Sequence, residues 1–215
     1  YEAGVAGQRH GRDGRRHASG IRHSLALDRE PATGDLYLVQ HGRDDLHEGW
    51  PALYAPAAGE RLPAEELLAV REGSVHGWPY CYFDPARGRH VLAPEYGGDG
   101  DAGGRCARLA PPALAFPAHA SPNDMVFYRG EQFPLPWRSG AFVALHGAYT
   151  RDDGSRSGYQ IAFVPFRDGV PAGGWEVFAD GFAGTGTEPE HRPTGLAVGP
   201  DGSLYVADSQ AGRIW

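Results

Sequence analysis

Lysine is missing from the 215 residues: all 20 basic side chains are arginine. Schiff-base and lysine-base chemistry are therefore excluded from this chain. No apolar run is long enough to cross a bilayer as a helix, and long helical periodicities are nearly absent. The net charge of −7 speaks against a general nucleic-acid binder. There is no Ser/His/Asp hydrolase signature and no Gly-rich phosphate loop. The two cysteines, Cys81 and Cys106, fit no zinc spacing and no CxxC.

Glycine and proline are plentiful, at 32 and 18 residues. With so little helical pattern, this favours an all-β chain of short strands and tight turns. One unit recurs. In "GIRHSLALDREPATGDLYLVQHGRDDL" an arginine, Arg22, precedes Leu25-Ala-Leu27, a turn at Thr33-Gly34 and a second strand, Leu36-Tyr-Leu-Val39. In "HRPTGLAVGPDGSLYVADSQAGRIW" Arg192 precedes Gly195–Val198, a Pro-Asp-Gly turn and Leu204-Tyr-Val-Ala207. A third copy, "DMVFY" and "GAFVALHG", follows "AHASPN" rather than an arginine, and "YQIAFVPF" and "WEVFADGF" add two strands. Four antiparallel strands, repeated, are the unit of a β-propeller blade. The chain is expected to hold about three such blades, the unit of its single domain over 1–215, with an inserted loop region near 42–112. "PAEELLAV" (63–70) reads as a helical turn, "GWPYC" as a turn with Trp78 buried, and His10, His17 and His90 as solvated. The acid-rich "GGDGD" (97–101) reads as a flexible loop.

In a propeller the first strand of each blade lines the central channel. Arg22 and Arg192 could then face one point on the axis, with an anion between them, since guanidinium matches planar carboxylates. Alternatively each pairs with a nearby acid, such as Asp44 or Asp208. Cys81 and Cys106 flank a Gly- and Asp-rich loop. A disulfide there would stabilise by roughly 3.5 kcal/mol on the chain-entropy account; two free buried thiols are the alternative. The bonded form is expected, and with it an oxidising compartment.

An ordered set of motifs adds to this reading. "ASGIRHSLALD", "HGRDDLHEGWP", "PAEELLAVREGSVHGWPYC", "FVALHGAYTRDDGSRSGYQIAFVPF" and the closing "HRPTGLAVGPDGSLYVADSQAGRIW" resemble, from about residue 15 to 215, the pyrroloquinoline quinone (PQQ) dependent sugar dehydrogenases. The likeness is to the C-terminal half of the soluble glucose and aldose dehydrogenases, in particular their sorbosone dehydrogenase branch. It implies a six-bladed propeller of which this chain is a partial one. It also implies oxidation of aldoses or sugar-derived aldehydes with PQQ and Ca²⁺, and delivery of electrons to an external acceptor, a cytochrome or a quinone. Arg22, His23, His146, Arg151 and Arg192 would bind PQQ, with His23 standing where the family usually has Asn. The Gly42 and Arg43 carbonyls would ligate calcium, with Asp44 and Asp45 nearby. The family's general base, a histidine on an early blade, has no counterpart here, so no catalytic residue is assigned and a lone fragment is expected to be inactive. The ends, Tyr1 and a mid-strand Trp215, also read as those of a piece of a longer polypeptide. A periplasmic or secreted location is expected. Readings from other classes are a propeller lactonase or hydrolase with a metal at the channel mouth, and a non-catalytic binding propeller.

Overall fold

The computed structural model describes residues 15–147 and 156–215. Its first sheet begins with β1 (His23–Arg29), β2 (Leu36–His41) and β3 (Glu65–Val70). The excursion that follows holds a hairpin of β4 (Cys81–Asp84) and β5 (Arg89–Leu92), after which β6 (Leu114–Phe116) completes the antiparallel order β1-β2-β3-β6. The β1–β2 turn is closed by Glu30. Its carboxylate accepts the Ala32 and Thr33 N–H groups and the Thr33 hydroxyl, and Gly34 adopts φ 75°, a conformation glycine reaches without Cβ strain.

The second sheet comprises β7 (Pro122–Phe127), β8 (Gly140–Leu145), β9 (Gln160–Arg167) and β11 (Glu176–Ala179), with β10 (Val170–Pro171) a short return on β9. The third comprises β12 (Pro193–Val198), β13 (Leu204–Asp208) and β14 (Arg213–Ile214). The expected four strands between about 124 and 182 are therefore present.

The second sheet lies between the other two, and the strand period of two explains how. Val143 and Leu145 of β8, with Val164 and Phe166 of β9, pack on Tyr37, Val39, Leu67 and Phe116 of the first sheet. Their alternates Phe142, Ala144, Ile161 and Phe163 pack on Leu196, Val198, Leu204 and Val206 of the third. Every residue of β8 is buried, which is why "GAFVAL" shows no polar alternation. Each large apolar side chain buried here contributes about 1.5–3 kcal/mol. The described sheets do not close into a ring.

Several expectations change. Residues 65–70 are a central strand, not a helical turn, and lie inside the stretch read as inserted loop. Trp78 is 37% exposed, whereas His90 is 3% exposed, beneath Phe83. The 97–101 loop is pinned by its own acids: Asp99 accepts the Asp101 and Ala102 N–H groups, and Asp101 pairs with Arg87 and Arg89. Cys81 and Cys106 form the expected disulfide, Cα atoms 5.8 Å apart. Among the described residues no helix is long and apolar enough to cross a membrane.

Candidate functional site

The inner strands β1, β7 and β12 run side by side in one direction. His41, opposite His23 at the start of β1, brings its Nε2 to the carbonyl of Pro122 at the start of β7 (3.2 Å), and Phe127 at the end of β7 donates its N–H to Asp28 near the end of β1 (2.9 Å). Asn123 donates to the Thr194 hydroxyl (3.2 Å), and Leu196 N–H donates to Asp124 (2.7 Å). Starts meet starts. Arg22 and Arg192, each immediately before such a strand, therefore stand at the same end of the molecule.

Arg22 is fixed through backbone and side chain. Its N–H donates to Gln40 Oε1 (2.9 Å), its Nη1 donates to the Gly42 carbonyl (2.6 Å), and its guanidinium lies 5.5 Å from the Trp78 ring centre. Asp44 is a looser neighbour, at 3.6 Å from Nη2. His23 meets His41 edge-on, ring centres 5.0 Å apart. Burial, helped by the charges of His23 and Arg22, pushes the His41 imidazole below its usual range, so it is neutral at physiological pH. Facing a carbonyl, its Nε2 carries the proton.

Arg192 belongs to the third sheet but reaches to the second. Its backbone N–H donates to Asp208 Oδ1 (3.0 Å), its Nη1 donates to the Gly147 carbonyl (3.0 Å), and its guanidinium lies 5.3 Å from the Tyr159 ring centre. His146, at the end of β8, donates its backbone N–H to Ser121 O (2.9 Å). Its Nδ1 faces the Gly147 carbonyl (3.0 Å) and so carries the proton, leaving Nε2 to accept from Ser209 Oγ (3.1 Å). Burial, with the Arg192 charge, holds this imidazole below its usual range.

The structure thus brings Arg22, His23, His146 and Arg192 to one end, and Gly42 beneath Arg22. The Arg43 side chain turns elsewhere, pairing with Glu95 (2.5 Å) and covering Trp50. Arg151 lies outside the described residues. Among the described residues no group of three or more His, Cys, Asp or Glu side chains is placed to hold a metal.

Sequence reasoning missed His41, Tyr159 and Ser209, and weighed Asn123 only as a metal ligand in the lactonase reading. It also missed the buried pair Glu65–Glu66. Burial pushes both carboxyls up to about 7, against hydrogen bonds from the Gly42 and Ser121 N–H groups to Glu65 and from Gln40 to Glu66. The signal was available in the register: once 65–70 is a strand between two others, adjacent glutamates cannot both reach solvent.

The profile of the family described as TrAA12-like matches residues 3–215. An uncharacterized protein of Borreliella burgdorferi is 26% identical over 202 residues, covering 92% of this chain and 47% of that protein. A pyrroloquinoline quinone-dependent sugar dehydrogenase of Hypocrea jecorina is 25% identical over 142 residues, covering 60% and 31% respectively. The chain thus spans less than half the length of these curated relatives. Among solved structures, a Trichoderma reesei carbohydrate-active enzyme of family AA12 in its iodide form superposes with a TM-score of 0.71 at 21% identity, covering 92% of this chain and 52% of that one. The holo form of the pyranose dehydrogenase PQQ domain from Coprinopsis cinerea superposes with 0.67 at 21% identity, covering 92% and 54%. These likenesses concern the fold; the match along nearly the whole sequence establishes that the chain belongs to the TrAA12-like family.

Proposed function

We propose that this protein is a quinoprotein oxidoreductase that oxidises aldoses or sugar-derived aldehydes with PQQ. The observation that carries the reading is the placement of Arg22 and Arg192, from sheets that are not neighbours, at the same end of three aligned inner strands. A flat tricarboxylate fits this donor set. It would meet two guanidiniums, the His23 and His146 imidazoles, the latter held below its usual range by burial, and the Tyr159 and Trp78 rings that flank the arginines. Arg22, Arg192, His23 and His146 would orient it, with Arg151 as a further ligand from outside the described residues. When bound, PQQ accepts a hydride equivalent from the sugar at its quinone carbonyl. Two curated or solved relatives carry PQQ in their names, one a sugar dehydrogenase and one a pyranose dehydrogenase.

Calcium fits less directly. The Gly42 carbonyl already accepts from Arg22 Nη1, so an ion on that oxygen would sit beside a guanidinium. No chemical step is assigned to it, although a related AA12 structure is described as a calcium structure. The general base is proposed to come from sheets outside this chain, which on its own would then be inactive, and electrons to pass to an external cytochrome or quinone. The disulfide supports a periplasmic or secreted location. The test is dye reduction by a panel of aldoses with PQQ and Ca²⁺ added to the full-length protein. Sugar-dependent reduction that requires PQQ is expected; none with any aldose, despite bound PQQ, would overturn the reading.

A further inference from the structure

Glu65 is 3% exposed and stands at the first position of β3. Its two oxygens face different sheets: Oε2 accepts the N–H of Gly42 (2.7 Å), and Oε1 accepts the N–H of Ser121 (3.2 Å). Each partner leads directly to one arm of the candidate site. The Gly42 carbonyl accepts from Arg22 Nη1. The Ser121 carbonyl accepts the His146 N–H, the adjacent Ala120 carbonyl accepts the Gly147 N–H, and the Gly147 carbonyl accepts from Arg192 Nη1. One continuous path thus joins the two guanidiniums, and a single buried carboxylate is the only side chain in its interior. From it we infer that Glu65 is the positioning residue that sets the Arg22 and Arg192 arms against each other.

Glu30 shows why this differs from ordinary turn stabilisation. It is also a buried glutamate, 6% exposed, and it also accepts backbone N–H bonds, but both donors, Ala32 and Thr33, lie in its own turn. The partners of Glu65 lie 23 and 56 residues away. They belong to the segments that leave β2 and enter β7, and Ser121 is held at φ 54°, a conformation disfavoured for a residue with a Cβ. The two oxygens of one carboxylate can accept from both loops at once, and these two N–H bonds favour its ionised form against the burial that raises its pKa. An amide at position 65 would offer one acceptor and turn its NH₂ toward the other donor.

The inference rests on the PQQ reading for its consequence but not for its geometry, and the experiment separates the two. PQQ is titrated by fluorescence quenching into the parent, Glu65→Gln and Glu30→Gln proteins, each also placed in an Arg22→Ala background. Glu65→Gln is expected to weaken PQQ about 10- to 100-fold, the scale of one hydrogen bond to a charged group, and to add little once Arg22 is gone. Glu30→Gln should lower the denaturation midpoint while keeping PQQ affinity within about twofold, since its bonds are local. Equal losses from both glutamates, or parent-like affinity in Glu65→Gln, overturn the inference. Amide exchange on the unmodified protein provides a measurement independent of variant folding and of PQQ. The Gly42 and Ser121 N–H groups should both be protected well beyond exposed loop amides, and exchange of either at the open-loop rate overturns the inference even if PQQ binds.

Discussion

Asp208 shows how much one side chain can organise at this end of the molecule. Its Oδ1 accepts the N–H groups of Arg192, Gln210 and Ala211, and its Oδ2 accepts from His191 Nδ1 at 2.6 Å. Burial alone would raise its pKa; these donors outweigh that and hold it down at about 2. A carboxyl depressed in the folded state stabilises the fold fully above its unfolded value, near 3.9, and loses that contribution as pH falls toward about 2. Asp208→Asn should therefore lower stability by about 1.5–3 kcal/mol at neutral pH. It should also flatten the pH dependence of the urea midpoint between about pH 4 and pH 2. Denaturation curves across that window check both; an unchanged acid limb in the variant would contradict the role given to Asp208. Arg192 was recognisable from sequence as a charge set before a buried strand. The acid that fixes its backbone was recognised only as a competing partner for its side chain, a role the Gly147 carbonyl takes instead.

At the scale of elements, legibility followed local consistency. β1–β2 and β12–β13 pair about Gly-containing turns, each with one register shift near its start, and both hairpins stand where the sequence places them. β3 was missed because Pro63, two glutamates and two leucines are compatible with a helix. Pairing with β2 on one edge and β6 on the other overrides that propensity. β6, at three residues, is too short for periodicity to register. Glu65 and His41 could not be read as site residues from spacing, because their partners lie across sheets; only the register of β3 exposes the buried glutamates. The β4–β5 hairpin depends on a covalent link, since the Cys81–Cys106 bond spans 25 residues. Replacing both cysteines by serine should cost up to about 3.5 kcal/mol. Because Cys81 also lines the small cavity that contains Arg22 and Trp78, it should loosen that end of the site as well. Calorimetry and PQQ titration of the double variant check this; an unshifted Tm would show that the hairpin is held by its Leu46, Tyr54, Tyr82 and Val91 core alone.

At the scale of the whole molecule, apolar side chains stay exposed at both extremes. Leu25 and Leu27 of β1 are 53% and 64% exposed, and Tyr205, Ile214 and Trp215 are exposed at the other extreme. Uncovered apolar surface of this kind promotes association. The isolated chain should therefore self-associate with rising concentration, and Leu25→Thr with Leu27→Thr should reduce it; sedimentation velocity on the two proteins decides the matter. The middle sheet, covered on both sides, is the part whose packing is complete. Its inner strand, β7, separates the two arginine-bearing strands. That separation makes the placement of Arg22 and Arg192 at the same end a property of the assembled sheets and of no single blade. The most direct test is a PQQ binding titration on full-length protein in four forms: parent, Arg22→Ala, Arg192→Ala and the double variant. If one anion lies between the two arginines, each single change weakens binding by about 1.5–3 kcal/mol, and Arg192→Lys recovers only part of the loss because an ammonium makes no bidentate contact. Parent-like affinity in Arg192→Ala would contradict a cofactor shared by the two arginines.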